Sequence, residues 1–420
     1  MKKLLFVIVT FSYCTGCTSN GSSGQQTGRY DSYLGLVMAG YQGWHAAQGD
    51  ESNRGWYHYG FRSDTASTID FWPDMTAYTK TYLSPFKMPD GSDTYLYSAY
   101  DEETVDLHFR WMKEYGIDGV FMQRFVGETK REAGKRHFNK VLENALKAAR
   151  KYDRAIGVMY DLSGSQPQDM QVLENDWKEL LELFDLTNRE KNPTYIWHNG
   201  KPLLTIWGVG FNDNRRYSID DARQMIARLK KEHQVSIMLG VPYFWRTLDR
   251  DTESNPLLHT LIKENVDIVM PWAVGRYNYD TYDSIAAGLS DDFKWCRENG
   301  VDYVPLVFPG FTWGNMRNNP RIYDQIPRLK GDFLWKQVAG AKTAGATALY
   351  AAMFDEIDEG TAFFKCAEEG KLPVFGASSL ERRFIGIEEG LGTDYYLWLL
   401  GEANKWIKGG SGYNATKPHK

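Results

Sequence analysis

The chain has 420 residues, and its 49 Lys and Arg against 54 Asp and Glu give a formal net charge of -5. The two signs are interspersed, which excludes the basic patch or stripe of a nucleic-acid binder, and 42% hydrophobic residues supply ample core. Four cysteines, two of them within the first 17 residues, exclude a disulfide framework and a cysteine-based zinc site.

In chain order, residues 1–17 (MKKLLFVIVTFSYCTGC) carry two lysines, a short apolar run and small residues before a cysteine. The run is too short to span a bilayer, so it reads as a signal peptide. Thr15-Gly16-Cys17 resembles a bacterial lipobox, with Cys14 where leucine is usual. The expectation is a lipid on Cys17 as the only membrane contact and a bacterial cell-envelope location, periplasmic or surface-exposed. Residues 18–30, Gly- and Ser-rich at first, read as a flexible tether to a single domain over residues 31–408. The last twelve residues, 409–420, read as a disordered tail.

Eight short apolar runs recur along the domain: LVMAGY (36–41), GVFMQRF (119–125), IGVMYD (156–161), LLTIWG (203–208), SIMLGVPY (236–243), VDIVMPW (266–272), YVPLVF (303–308) and TALYAAMF (347–354). They are continuous rather than alternating, as strands covered on both faces are. Amphipathic segments predicted as helices cover 103–115, 138–152, 169–184, 220–232, 255–264, 279–299, 335–344 and 394–407. Strand and helix in alternation predict an α/β fold, a (β/α)8 TIM barrel, with a doubly wound sheet as the alternative.

Aromatic residues make up 15% of the chain, including 14 Trp and 26 Tyr, more rings with polar handles than packing needs. Two long connections, 42–100 and 309–334, leave strand ends on the face where barrels build their sites. The first carries Trp44, His45, Trp56, Tyr57, His58, Tyr59, Phe71 and Trp72. Sugar rings stack on such side chains while their hydroxyls need donors and acceptors. About two of these rings are expected to touch substrate while the rest pack.

Strand ends then give the candidates for binding: Tyr41, Gln42 and Trp44; Gln123 and Arg124; Asp161; Trp207; Tyr243 and Trp245; and Trp272. After the eighth run comes MFDEIDEGT, with Asp355, Glu356, Asp358 and Glu359 together. Such crowding raises at least one carboxyl pKa and supplies a general acid near neutral pH. No HExxH, GxSxG, GxGxxG or Walker A motif follows a strand, so no metal site and no cofactor is expected. Glu356 and Glu359 are three residues apart, about 5–6 Å if that turn is helical. Acids so placed serve neighbouring positions on one ring better than its opposite faces.

GYQGW (40–44), TVDLHFRWMKEYGIDGVFMQRF (104–125) and FDEIDEGT (354–361) resemble the glycoside hydrolase family 71/99-like proteins, more distantly the family 99 endo-α-mannosidases. The resemblance covers most of the mature chain and implies a (β/α)8 fold and a Glu-x-x-Glu pair in a context similar to FNEWGEGT. It implies Glu356 as base on the sugar 2-hydroxyl, Glu359 as general acid and then base, and retention through a 1,2-anhydro sugar. Asp355 stands where the family motif has asparagine, and Ile357 where it has tryptophan. The expected activity is hydrolysis of an α-linked oligo- or polysaccharide, and the alternative is a non-catalytic carbohydrate-binding lipoprotein with a barrel fold. A hydrolase requires both glutamates facing one pocket with at least one partly desolvated; a binder does not.

Overall fold

Each of the eight apolar runs forms a strand. They are Val37–Tyr41, Gly119–Phe125, Ala155–Asp161, Lys201–Trp207, Ser236–Pro242, Ile268–Trp272, a seventh in two pieces (Asp302–Tyr303 and Leu306–Val307), and Leu349–Ala351. The computed structural model describes residues 29–379 and 381–420; the expected signal peptide with Cys17 and most of the expected tether lie outside the described residues.

All barrel pairings are parallel. The first piece of the seventh strand pairs with the sixth and its second piece with the eighth, while the eighth pairs with the first, so the sheet closes on itself. Helices alternate with the strands: Glu102–Tyr115, Glu132–Tyr152, Asp169–Phe184, Ile219–His233, Leu257–Asn265, Leu289–Glu298, Asp332–Ala344 and Tyr395–Ile407. The protein is a (β/α)8 barrel. No helix among the described residues is long and apolar enough to cross a membrane.

Pleating divides each strand between two cores, because successive side chains point to opposite faces. Met38, Phe121, Met159, Met238, Met270 and Tyr350 fill the barrel interior. Val37, Val120, Val158, Ile206, Leu239 and Val269 pack outward against the helices. Both sets are apolar, which is why the runs read as continuous in the sequence.

The long first connection holds an antiparallel hairpin, Tyr82–Lys87 with Asp93–Leu96. Phe86 of that hairpin packs on Phe61, Trp72, Phe375 and Phe384, forming a satellite core with the segment after the eighth strand. The expected tail is instead ordered. Tyr413 packs near Trp335 and Trp406, and Trp335 Nε1 donates to the Asn414 carbonyl at 3.0 Å. Its three glycines and polar residues suggested disorder, but the buried Trp335 and the partly buried Trp406 give it a place to dock.

Candidate active site

A cavity of about 470 Å³ opens at the C-terminal ends of the strands and takes lining residues from the end of, or the loop after, every strand except the fifth. Glu356 and Glu359 form one side of it. Gln42, Trp44, Gln123, Asp161, Trp207 and Trp272 line it too. Strand register explains the company they keep: Gln123 pairs with Met159, Phe125 with Asp161, and Asp161 with Trp207. These residues share the inward parity, so the pleat aims them all into the barrel mouth.

The same parity turns other candidates away. Tyr41 points outward, fully buried, with its hydroxyl 2.8 Å from His108 Nδ1. Arg124, next to Gln123, also faces outward; Nε and Nη2 donate to the two oxygens of Asp176 at 2.7 and 2.6 Å. Trp245 lies three residues past the fifth strand and is buried against Trp295, His259 and Tyr303. Tyr243 packs on Phe244 and Tyr277 in a groove on the fifth-strand side, away from the acids. These four do not reach the cavity.

Of the rings in the first long connection, Trp44 lines the cavity. It is held between His58, at 3.7 Å between centroids and 5° between planes, and Phe125 at 5.1 Å. His45, Tyr59, Phe71 and Trp72 are buried in packing. Across the mouth, Trp207 meets Trp272 edge-on at 5.3 Å. Gly240 makes room for that indole, since a Cβ there would fall 2.4 Å from Trp207 Cδ1.

The acidic segment is tied down on both flanks. Asp355, fully buried, accepts the backbone N–H groups of Gln42 at 2.7 Å and Gly43 at 2.9 Å. That fixes Gln42, whose Nε2 donates to Glu356 Oε1 at 2.6 Å. Thr361 Oγ1 donates to the other oxygen of Glu356 at 2.6 Å. Arg328 clamps the following turn by donating to the carbonyls of Gly360 and Ala362 at 2.9 and 2.8 Å. Ile357 is buried in the outer core, and its carbonyl accepts from the backbone N–H groups of Asp70 and Phe71. Its side chain therefore removes no ring from the cavity.

Burial dominates the acid–base character of this segment. It raises the Glu356 carboxyl well above the ordinary range, and the neighbouring Glu359 and Asp358 charges add to the rise. Burial and Asp358 push Glu359 up to about 7, against a lowering pull from Arg317. Asp355 and Asp358 are each pushed up to about 7 by burial. Glu359 has no hydrogen-bond donor on its carboxyl among the described residues, whereas Glu356 has two. Asp358 instead faces away toward His58, whose Nδ1 is 3.1 Å from Oδ2. Burial lowers that imidazole to about 3, so it stays neutral beside Trp44.

Arg215, Asp213, Arg317 and Thr361 were not among the expected site residues, and His58 was expected only as one of the rings of the first long connection. Thr361 stood inside the FDEIDEGT motif and His58 in the aromatic-rich first connection; Asp213, Arg215 and Arg317 lie in loops whose composition carries no signal. No group of His, Cys, Asp and Glu among the described residues is arranged to hold a metal ion. A groove of about 460 Å³ beside the helix Glu102–Tyr115 takes no residue from a barrel strand end.

No family model matches the chain, and no curated protein matches it. Among solved structures it is similar to the GH99 endo-alpha-mannosidase from Bacteroides thetaiotaomicron, with a TM-score of 0.62 and 14% identity over 90% of this chain and 98% of that one. The same enzyme in complex with bis-tris-propane gives 0.60 and 15%, again over 90% and 98%. The chain shares the barrel fold of that mannosidase. A structure described as a glycoside hydrolase-like protein is similar over 82% of this chain and 97% of that one, with a TM-score of 0.51 and 15% identity. At such identities the likeness speaks for the barrel and leaves the chemistry to the residues.

Proposed function

We propose that the protein is a glycoside hydrolase acting on an α-linked oligo- or polysaccharide, with Glu356 and Glu359 as its catalytic residues. The observation that carries this reading is two carboxyl groups facing one aromatic-lined cavity, both desolvated enough to hold protons near neutral pH. A sugar-binding protein has no need of that arrangement. The fold likeness to a mannosidase structure supports the same class.

Two such carboxyls titrate as a pair and share one proton over part of the pH range. Burial and the neighbouring charges raise Glu356 further than Glu359, whereas the hydrogen bonds on both its oxygens oppose that rise and Glu359 has none. On those hydrogen bonds we assign the shared proton to Glu359, which leaves Glu356 as the base. Glu356 then takes the proton of the 2-hydroxyl, and that oxygen displaces the leaving oxygen from the anomeric carbon. Glu359 protonates the leaving oxygen as the bond breaks. Water, deprotonated in turn by Glu359, opens the 1,2-anhydro ring at the anomeric carbon, and Glu356 returns its proton to the 2-oxygen. Two inversions give retention. Trp207, Trp272 and Trp44 provide stacking faces, and Gln123 and Asp161 provide hydrogen-bonding groups.

The leader MKKLLFVIVTFSYCTGC supports a cell-envelope location with a lipid on Cys17. Function is tested by screening wild type, Glu356→Gln and Glu359→Gln against α-mannans, α-glucans and other α-linked glycans. Product released by wild type and lost in both variants is the expected result. Binding without turnover, unchanged in both variants, overturns the enzyme and leaves the carbohydrate-binding lipoprotein.

A further inference from the structure

A second depression, of about 310 Å³, lies between the loops that follow the third and fourth barrel strands. It shares Ser163, Asp213 and Arg215 with the cavity over the acids, so the two spaces adjoin across one wall. That wall is built rather than incidental. Arg215 forks the Asp213 carboxylate at 2.9 and 3.0 Å and donates to the Tyr217 hydroxyl at 2.9 Å. Its guanidinium lies 5.1 Å from the Trp207 ring centroid and 4.7 Å from that of Phe211, and its side chain is 7% exposed. The pair neutralises its own charge and keeps the dividing ridge in place.

The two spaces offer different chemistry. The cavity presents indole faces; the depression has one ring, Tyr217, which is buried with its hydroxyl on the Gly208 carbonyl. In place of rings it offers the Asn214 amide and the Arg216 guanidinium, neither with a side-chain partner among the described residues, and the Ser163 hydroxyl, which hydrogen-bonds to Asp161. The Ser165 hydroxyl on its floor, in a residue 1% exposed, is unpartnered as well. An exposed amide and guanidinium around a buried, unpartnered hydroxyl, beside an aromatic cleft, suit a hydroxyl-rich ring held by its rim.

We infer that this depression is a further glycan subsite, which binds by hydrogen bonding the sugar lying beyond those stacked over the acids. The inference rests on the glycoside hydrolase reading and adds a length requirement: oligosaccharides long enough to pass Arg215 bind better than shorter ones. Asn214 and Arg216 are the residues that recognise the extra sugar. Asn214 has a left-handed backbone (φ 62°), so Asn214→Gly removes the amide without straining the turn.

The experiment is calorimetric titration of Glu359→Gln with α-linked manno- and gluco-oligosaccharides of two to five residues, alone and combined with Asn214→Gly or Arg216→Ala. Hydrolysis of the same glycans by wild type is followed in parallel. Affinity is expected to rise about five- to tenfold at the length that first passes Arg215. Both added substitutions should remove that step and leave the disaccharide unaffected. Absence of the step, its survival in both variants, or no binding at any length overturns the subsite. A step abolished by the variants but unaccompanied by wild-type hydrolysis keeps the subsite and overturns the hydrolase; hydrolysis with no step does the reverse.

Discussion

The second and eighth barrel strands both bring charge to the rim, and they place it on opposite sides of the barrel wall. Arg124 points outward, where Asp176 of the helix Asp169–Phe184 meets it with two hydrogen bonds and the Tyr160 hydroxyl adds a third to that carboxylate. Every charge there has an answering charge, and both side chains are almost wholly buried. Glu356 and Glu359 point inward to a cavity, and no cation among the described residues is hydrogen-bonded to either. A buried ion paired in this way holds helix to strand; buried carboxyls left without a cation keep their protons into the neutral range and retain chemical capacity.

Four substitutions or conditions break or sharpen that contrast. The largest effect is expected at the inward acids: Glu356→Gln or Glu359→Gln should each lower kcat by roughly 10²–10⁴-fold with little change in melting temperature, checked by product release and calorimetry. Arg124→Ala should do the opposite, because it strands Asp176 in the helix layer. It is expected to cost about 3–5 kcal/mol of stability while the folded fraction keeps its glycan affinity. An unchanged melting temperature would show that the outward pair is not structural.

Titration supplies the third. Asp355, Asp358 and Glu359 are each raised to about 7 and Glu356 is raised further, so the folded protein holds protons that the unfolded chain releases near pH 4. Their contribution to stability is therefore complete below about pH 4 and is lost as pH rises through about 7. Asp358→Asn should flatten the fall in melting temperature between those limits. Activity should decline above about pH 7 as Glu359 loses the proton that the leaving oxygen needs. The smallest effects compare two indoles: Trp272→Ala is expected to weaken glycan binding about tenfold, and Trp245→Phe to leave it within twofold while costing about 1 kcal/mol of stability. Equal effects of the two on binding would contradict the placement of Trp245 outside the cavity.

Strand positions and the acidic segment were legible in the residues, because apolar runs and turn chemistry are local. Parity was not. Both faces of a barrel strand are buried, so Gln123 and Arg124 carry the same local signal and only the closed sheet says which one faces the mouth. The end of the fifth strand shows the same limit. Tyr243 and Trp245 follow it as aromatic residues should follow a strand near a sugar site, yet the turn after Pro242 folds them against Tyr277 and Trp295. Asp355 is a different case: the sequence marks it as a departure from a motif, and the structure gives it two backbone N–H groups to hold. A carboxylate can accept both, whereas an amide offers one acceptor oxygen.

The sequence by itself determined the eight-fold alternation of strand and helix, the aromatic surplus and the clustering of four acids after the last strand. Tertiary structure decided which residues share the cavity, that the last twelve residues dock, and that Arg215 divides two adjoining spaces. The physical reason is range. Burial period and turn preference act over a few residues, but a site is made by side chains from different strands meeting at one rim. That meeting depends on register and barrel closure, which no single segment encodes.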